Sequence, residues 1–382
     1  MKIQTHKPES ITIACYENYV PPFVDTVMDG LYQSLFSSMA LIRIYDSVNL
    51  VSTYVARDAD AVVALFLFRR EGSKVSVCNE VFKVDAAEVT RFADYIFSRF
   101  GGVNVISFRA VENDIHRLPF PYLRFNTLED IVLTLPSCVD DYLASLGKAT
   151  RRTIRGNMNR LARSFPTFRF DVYENEQIRE SDVRAIIRMN HARMAGKDKV
   201  SSYSDEDARR IYALARVCGL VGVLMLDGRV CAGAVSYRIG DNYFMSLAAH
   251  DPHYDSFRLG TLNGFLNISE CILRGAKECH LLWGQHDYKY RFLGVERGLD
   301  NLAVYRSPAA MLRHADHALK MTFDGVRRHV QRRAHEAKRR DAFSWRIAVK
   351  VAAGLRSMQR FSRSGLGMRV PQLGELGKLP ED

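Results

Sequence analysis

The stretch from Leu220 to Trp283 restricts the fold more than any other part of the chain. Leu220–Leu226 and Val230–Ile239 are apolar runs separated by Asp227-Gly228, a dipeptide suited to the positive-φ turn of a tight hairpin. Asn242–Ala249 predicts a third strand, Leu259–Arg274 an apolar helix, and Glu278–Trp283 a strand behind that helix. The same order occurs upstream. Val51–Asp85 alternates β-branched and aromatic residues with polar ones and breaks at Arg57–Ala61 and Glu71–Lys74. Ala86–Phe100 carries Val89, Phe92, Ile96 and Phe97 at helical spacing and stops at Gly101-Gly102, and Val103–Phe108 is again a strand. Each half therefore buries one sheet face under a helix. The expected fold class is α/β, with an α+β-like mixed sheet, built as two tandem domains of one fold. Their expected bounds are 1–129 and 130–310, followed by a basic helical tail over 311–382.

Between the halves lie a Pro- and aromatic-rich linker around Leu118–Phe125 and a short strand at Asp130–Leu135. Val139–Ser164 then reads as one helix, with Tyr142, Leu143, Leu146, Ile154, Met158 and Leu161 as its apolar stripe. Lys148, Arg151, Arg152, Arg155 and Arg160 supply its charge, which suits a solvated face, a clamp on a substrate phosphate or an RNA contact. A strand at Phe168–Tyr173 and helices at Glu180–Arg193 and Asp205–Val217 complete the approach to the hairpin.

Charge and cysteine content exclude several classes of function. The net charge is +11, from 54 Lys+Arg against 43 Asp+Glu. Residues 311–382 hold 16 of those cations and 7 of the acids, which leaves 38 against 36 for the first 310 residues. The basicity thus belongs to the tail and does not by itself mark a nucleic-acid protein. The seven cysteines are scattered without a Cys-x-x-Cys pair, a pattern expected of a reducing, cytoplasmic compartment and not of a disulfide framework or zinc ribbon. His250/His253 and His314/His317 have ligand spacing, but no further ligands gather in the sequence, so no metal is expected. Neither Gly-x-Gly-x-x-Gly, a Walker loop nor Gly-x-Ser-x-Gly occurs, which removes dinucleotide, NTP and hydrolase-elbow chemistry. No apolar run approaches the roughly 20 residues of a membrane span.

Between the third strand and the apolar helix runs Ala249-His250-Asp251-Pro252-His253-Tyr254-Asp255-Ser256-Phe257-Arg258-Leu259-Gly260-Thr261. A turn holding Arg and Gly before a helix N-terminus is a candidate phosphate site, because the first-turn N–H groups and the helix dipole both favour an anion. Gly260 would let a phosphate approach the backbone without a Cβ in the way.

Asp251-Pro252-His253-Tyr254 followed by Arg258-Leu259-Gly260 resembles the coenzyme A loop of GNAT acyltransferases, with the Arg shifted toward the Gly and Leu262 in place of the second small residue. Lys148-Ala-Thr-Arg151-Arg152-Thr-Ile154-Arg155, the hairpin Val221–Tyr237 and Gly284-Gln-His286-Asp287-Tyr288-Lys289-Tyr290-Arg291-Phe292 are similar, in this order, to the tandem-domain Fem-type and cellulose-biosynthesis branch. The resemblance covers about residues 130–308. It implies two tandem GNAT-like domains and an acyl-CoA co-substrate such as acetyl-CoA, with Arg258, Leu259, Gly260 and Thr261 at its pyrophosphate. It also implies a thioester carbonyl on the backbone of Tyr243–Ala249, where Leu247 and Ala248 lie. Lys289 is then a candidate to stabilise phosphate, oxyanion or an acidic acceptor, and Asp287, with His250 or His286, to take the amine's proton. Lys148, Arg151, Arg155 and Tyr288 are the expected acceptor contacts, although Tyr288, Tyr290 and Phe292 also suit packing on the sheet.

The expected activity is transfer of an acyl group from acyl-CoA to an amine of an envelope, polysaccharide or lipid-type acceptor. Two alternatives are an aminoacyl-tRNA donor and a GNAT-like assembly factor without catalysis. In the tail, Met311–Arg340 predicts a helix with Leu312, Leu319, Phe323, Val326 and Val330 on one stripe. Trp345–Phe361 is a basic amphipathic stretch suited either to peripheral membrane contact or to docking on the body, and Ser362–Asp382 is expected to be disordered.

Overall fold

The computed structural model describes residues 11–196, 198, 201 and 203–340; the stretches Trp345–Phe361 and Ser362–Asp382 lie outside them. In chain order, β1 (Thr12–Tyr16) leads to α1 (Val24–Tyr32), a 3-10 turn (Leu35–Ser37) and α2 (Met39–Tyr45). Next come β2 (Ser52–Asp58), β3 (Ala61–Glu71), β4 (Lys74–Val77), α3 (Ala86–Arg99), β5 (Val105–Val111) and β6 (Tyr122–Thr134). The middle holds α4 (Val139–Ser145), α5 (Lys148–Ser164), β7 (Arg169–Glu174), α6 (Glu180–Ala195) and α7 (Asp205–Cys218). After these come β8 (Gly219–Leu226), β9 (Arg229–Ile239), β10 (Asn242–His250), a 3-10 turn (Pro252–Phe257), α8 (Leu259–Leu273) and β11 (Glu278–His280). The described chain closes with α9 (Asp287–Arg291), β12 (Val295–Tyr305), α10 (Pro308–Arg313) and α11 (Ala315–Arg340).

These elements form two compact units. The first takes residues 11–24, 49–128 and 298–340, and the second takes 25–48 and 129–297. In the first unit the strand order is β1-β2-β3-β4-β5-β12, antiparallel except for β4 beside β5. Asp85 caps α3 by accepting from Glu88 N–H, and the helix buries Val89, Phe92 and Ile96. The Phe92 ring packs edge-on against Tyr54, Phe66, Phe68 and Phe108. In the second unit the order is β7-β8-β9-β10-β11-β6, antiparallel except for β10 beside β11. Leu262, Phe265 and Ile268 of α8 share a core with Tyr142, Leu146, Ile154 and Leu161 of the α4–α5 segment. On the opposite face Ile186 of α6 lies against Gly233, where no larger residue fits.

Both units are of mixed α/β class, as the sequence predicts, and each has one parallel strand pair in an otherwise antiparallel order. Each sheet ends on an antiparallel sixth strand: β12 follows every element of the second unit, and β6 precedes the other five strands of its own sheet. The division is interleaved where the sequence suggests contiguous domains. Residues 25–48 join the second unit because Phe36 packs at 6.2 Å from Phe244 and 4.9 Å from Trp283. Gln33 accepts from Asp241 N–H, and Arg210 stacks over Tyr45.

Other differences are local. The helix expected over Val139–Ser164 is two helices, because Leu146 is extended (ψ 151) and Gly147 starts α5. The strand expected at Asp130–Leu135 is the end of a 13-residue β6 that begins inside the supposed linker. The strand expected to reach Trp283 ends at His280, before Leu282 turns left-handed at φ 57. The helix expected over Met311–Arg340 is interrupted at His314.

Candidate functional site

The sheet of the second unit opens at one end. β10 pairs with β9 from Asn242↔Ile239 to His250↔Ala232, with a bulge between Met245 and Leu247. On its other edge it pairs with β11 only over Asn242–Phe244. Beyond Phe244 no strand among the described residues covers that edge. The bulge bends β10, and the chain leaving β11 turns away through the left-handed Leu282 and Gly284. The backbone of Met245–Ala249 therefore borders an opening whose other wall is the segment after β11. Leu247 is buried and Ala248 half-buried on this strand.

On the β10 side, Asp251 N–H bonds to Cys231 O at 2.8 Å, and its carboxylate accepts from His253 N–H to start the 3-10 turn. α5 holds this turn in place. Phe165 meets the Tyr254 and Phe257 rings at 5.8 and 5.5 Å. Arg160 stacks over Phe257 at 4.5 Å and donates to Ser256 O. Arg258, exposed, takes a left-handed conformation (φ 54, ψ 41) and begins α8. Thr261 and Leu262 N–H both return to Arg258 O, at 3.0 and 3.2 Å. The N–H groups of Leu259 and Gly260 precede that ladder and emerge from the first turn at the positive end of the helix dipole.

His250 closes this turn. A Cβ on Gly260 would stand 3.0 Å from the His250 Nδ1 and Cε1 atoms, so in the structure the imidazole occupies the space that the glycine leaves. His250 Nε2 lies 2.9 Å from Asp255 Oδ1. Burial pushes the His250 pKa below its usual 6.5, against the opposing pull of Asp255. The ring is neutral at pH 7, and the Asp255 contact places its proton on Nε2.

On the β11 side, Asp287, Tyr288 and Lys289 share α9. Asp287 is exposed in its first turn, and Tyr288 stacks on His286 at 6.0 Å. Lys289 is fully buried. Its Nζ donates to Leu282 O at 3.0 Å and Trp283 O at 2.5 Å, so it clasps the left-handed turn from behind. Burial pushes its pKa down to about 7, with Asp130 acting in the opposite direction. In this arrangement the amine faces backbone carbonyls and no open surface.

Sequence reasoning missed the neighbours of this clasp. His280 Nδ1 lies 2.6 Å from Asp130 Oδ2, its Nε2 is 3.4 Å from Glu278, and its ring stacks on Phe244 at 4.2 Å. Burial opposes charge on His280, yet Asp130 and Glu278 together raise its pKa to about 9. The His280 contact holds Glu278 down to about 2 despite desolvation, and Arg297 adds to it from 2.8 Å. The signal was present as charged residues on inward strand positions, Asp130 on β6 and His280 on β11. Trp283 was also missed; its indole N–H is buried without an acceptor among the described residues.

The predicted acceptor contacts separate. Arg151 donates to the carbonyls of Ala144 and Leu146 and so closes the α4–α5 break. Lys148, Arg152 and Arg155 are exposed on α5. A groove of about 500 Å³ runs beside α6, lined by Asp182, Arg188, Arg229, Asp251 and Pro252 among others. It borders the start of the loop leading to α8.

Residues 148–290 match the family model of the acetyltransferase (GNAT) domain. The matched span runs from the start of α5 into α9 and includes both walls of the opening. No curated protein matches the chain. Among solved structures, FemX is similar at 8% identity, covering 75% of this chain and 96% of its own, with a TM-score of 0.53. L-PGS from Bacillus licheniformis has 14% identity over 78% of this chain and 94% of its own, at a TM-score of 0.48. A conserved protein of unknown function from Bacteroides thetaiotaomicron VPI-5482 has 14% identity, covers 76% and 99%, and has a TM-score of 0.48. The likeness to FemX is one of fold. The residues that match the acetyltransferase (GNAT) domain all lie in the second unit.

Proposed function

We propose that the opening beside β10 is an acyl-donor cleft, and that the protein is an N-acyltransferase moving an acyl group from a coenzyme A thioester to an amine. The carrying observation is the uncovered backbone edge of Met245–Ala249 set immediately before the first turn of α8. The edge offers an N–H to a thioester carbonyl, and the helix offers Leu259 and Gly260 N–H groups to a pyrophosphate. The match of residues 148–290 to an acetyltransferase domain supports this reading. Arg258 and Thr261 complete the pyrophosphate contacts, and Leu247 and Ala248 border the thioester.

In the reaction a neutral amine attacks the thioester carbonyl, the strand N–H stabilises the tetrahedral oxyanion, and its collapse releases the coenzyme A thiolate. The exposed Asp287 takes the amine's proton. His250, lodged against Gly260, belongs with the phosphate end of the cleft, and Lys289 acts by fixing the wall at 282–283. The acceptor is an amine of an envelope, polysaccharide or lipid-type molecule, following the resemblance to the Fem-type and cellulose-biosynthesis branch. Titration of the pure protein with acetyl-CoA tests the donor. Binding that Arg258→Glu or Gly260→Trp weakens by about tenfold or more is expected; a protein that binds no acyl-CoA sinks the reading.

A second reading keeps the fold and takes aminoacyl-tRNA as donor. It is favoured by exposed Lys148, Arg152 and Arg155, which form no ion pair among the described residues. Salt-sensitive retention of the protein on tRNA, lost when these three are replaced by Glu, would select it over the first.

A further inference from the structure

The C-terminal helices of the first unit have two different long faces. One face docks: Met311, Ala318 and Met321 pack against the cluster of Val105, Ala303 and Tyr305. His317 Nδ1 lies 3.1 Å from the Tyr305 hydroxyl, and His314 Nε2 lies 3.3 Å from Ser73 Oγ. The other face is apolar and turned to solvent. Leu312 is 77% exposed, Leu319 69% and Val326 48%, at intervals of seven residues. Phe323 and Val330, each four residues further on, are half-buried on the same side. A cation follows each exposed residue: Arg313, Lys320 and Arg327. Across residues 308–333 there are six Lys and Arg against two Asp.

Large aliphatic side chains at this exposure do not help the unit fold, since the docked face already supplies its contacts. In a two-helix seam with a second copy, the core positions four residues on would set the charged Asp316 beside Phe323 and Val330. A second copy would also set cation against cation. Charge complementarity points to a different occupant. We infer that α10 and α11 lie flat on an anionic lipid bilayer, with Leu312, Leu319, Phe323, Val326 and Val330 entering the acyl boundary. Arg313 and Lys320, both exposed, and Arg327 beside the stripe then meet the headgroup phosphates.

The inference does not depend on the donor or on the acyl reaction. Flotation of the full chain with phosphatidylcholine vesicles containing phosphatidylglycerol tests it, against vesicles of phosphatidylcholine alone. The protein rises with the anionic vesicles, stays behind with the neutral ones, and is released by high salt. Leu319→Glu with Val326→Glu reduces the bound fraction by about tenfold or more, while the thermal midpoint is unchanged. Lys320→Glu with Arg327→Glu, which leaves the docked face untouched, does the same. Undiminished flotation of both double variants overturns the assignment, and so does binding that disappears only when residues 341–382 are removed. A concentration-dependent dimer lost in the Leu319→Glu variant, without vesicle binding, overturns it in favour of a second copy.

Discussion

Asp130 serves two buried cations: it holds the proton on His280, and it moderates the burial of Lys289. The two effects have opposite signs. His280 titrates near 9 in the fold against 6.5 free, so its stabilisation is complete below 6.5 and is lost as pH rises toward 9. Lys289 titrates near 7 against 10.5, so burying its charge is costly below 7, and that cost fades as pH rises toward 10.5. Between pH 7 and 9 the contributions of this pair cancel. Removing one partner exposes the other. Stability of Lys289→Met should fall with pH across this window, and that of His280→Gln should rise, each by about 1.4 kcal/mol per pH unit. Denaturant midpoints measured at several pH values check this; parallel curves for both variants and the parent would refute it. Arg258 gives a second prediction at this scale. A left-handed arginine is strained, and Arg258→Gly should stabilise the protein by about 1 kcal/mol. If Arg258 also contacts the donor, the same variant binds acetyl-CoA more weakly. A gain in stability with unchanged affinity would remove Arg258 from the donor site.

At the scale of elements, cations that look alike in the sequence do different work. Arg151→Ala leaves the Ala144 and Leu146 carbonyls without their donor and should cost about 1–2 kcal/mol, whereas Arg155→Ala, on an exposed face, should change stability by less than about 0.5 kcal/mol. Thermal unfolding of the two variants decides the point; equal midpoints would contradict the assignment of Arg151 to the break. Local chemistry made much of the fold legible. Asp227-Gly228 signals its hairpin, and in the structure Asp227 and Gly228 are both at positive φ. The aromatic alternation of Val51–Glu71 and the helical spacing of Val89–Phe97 likewise mark the elements found there. β12 escaped because its first half, Val295-Glu-Arg-Gly, is polar and exposed, and only Leu302–Tyr305 shows an apolar run. The open edge beyond Phe244 was legible only through the resemblance, which expected the thioester on Tyr243–Ala249, since a strand of three residues and a bulge leave no periodic trace. Lys289 illustrates the limit at the site. A Tyr-Lys pair in a signature suggests a reaching cation, and nothing nearby in the sequence announces that carbonyls seven and six residues earlier will enclose it.

For the whole molecule, the interleaving makes each half dependent on distant chain, the first on β12 and the second on residues 25–48. A fragment of residues 1–129 has β5 but lacks β12, which pairs with it through Leu302↔Phe108 to Tyr305↔Val105. Such a fragment should not unfold cooperatively by itself, and addition of residues 298–340 should restore a transition. Cooperative melting of 1–129 alone, followed by circular dichroism, would show that β12 is dispensable. The same dependence sets a clock during synthesis. Some 190 residues separate Val111 from Tyr305, and at a ribosomal rate of roughly 5–20 residues per second the open edge of β5 waits about 10–40 s for its neighbour. A bare sheet edge is a template for pairing with other chains, so the yield of soluble protein should depend on holdase chaperones and on translation speed, through a strand the ribosome delivers long after its neighbour.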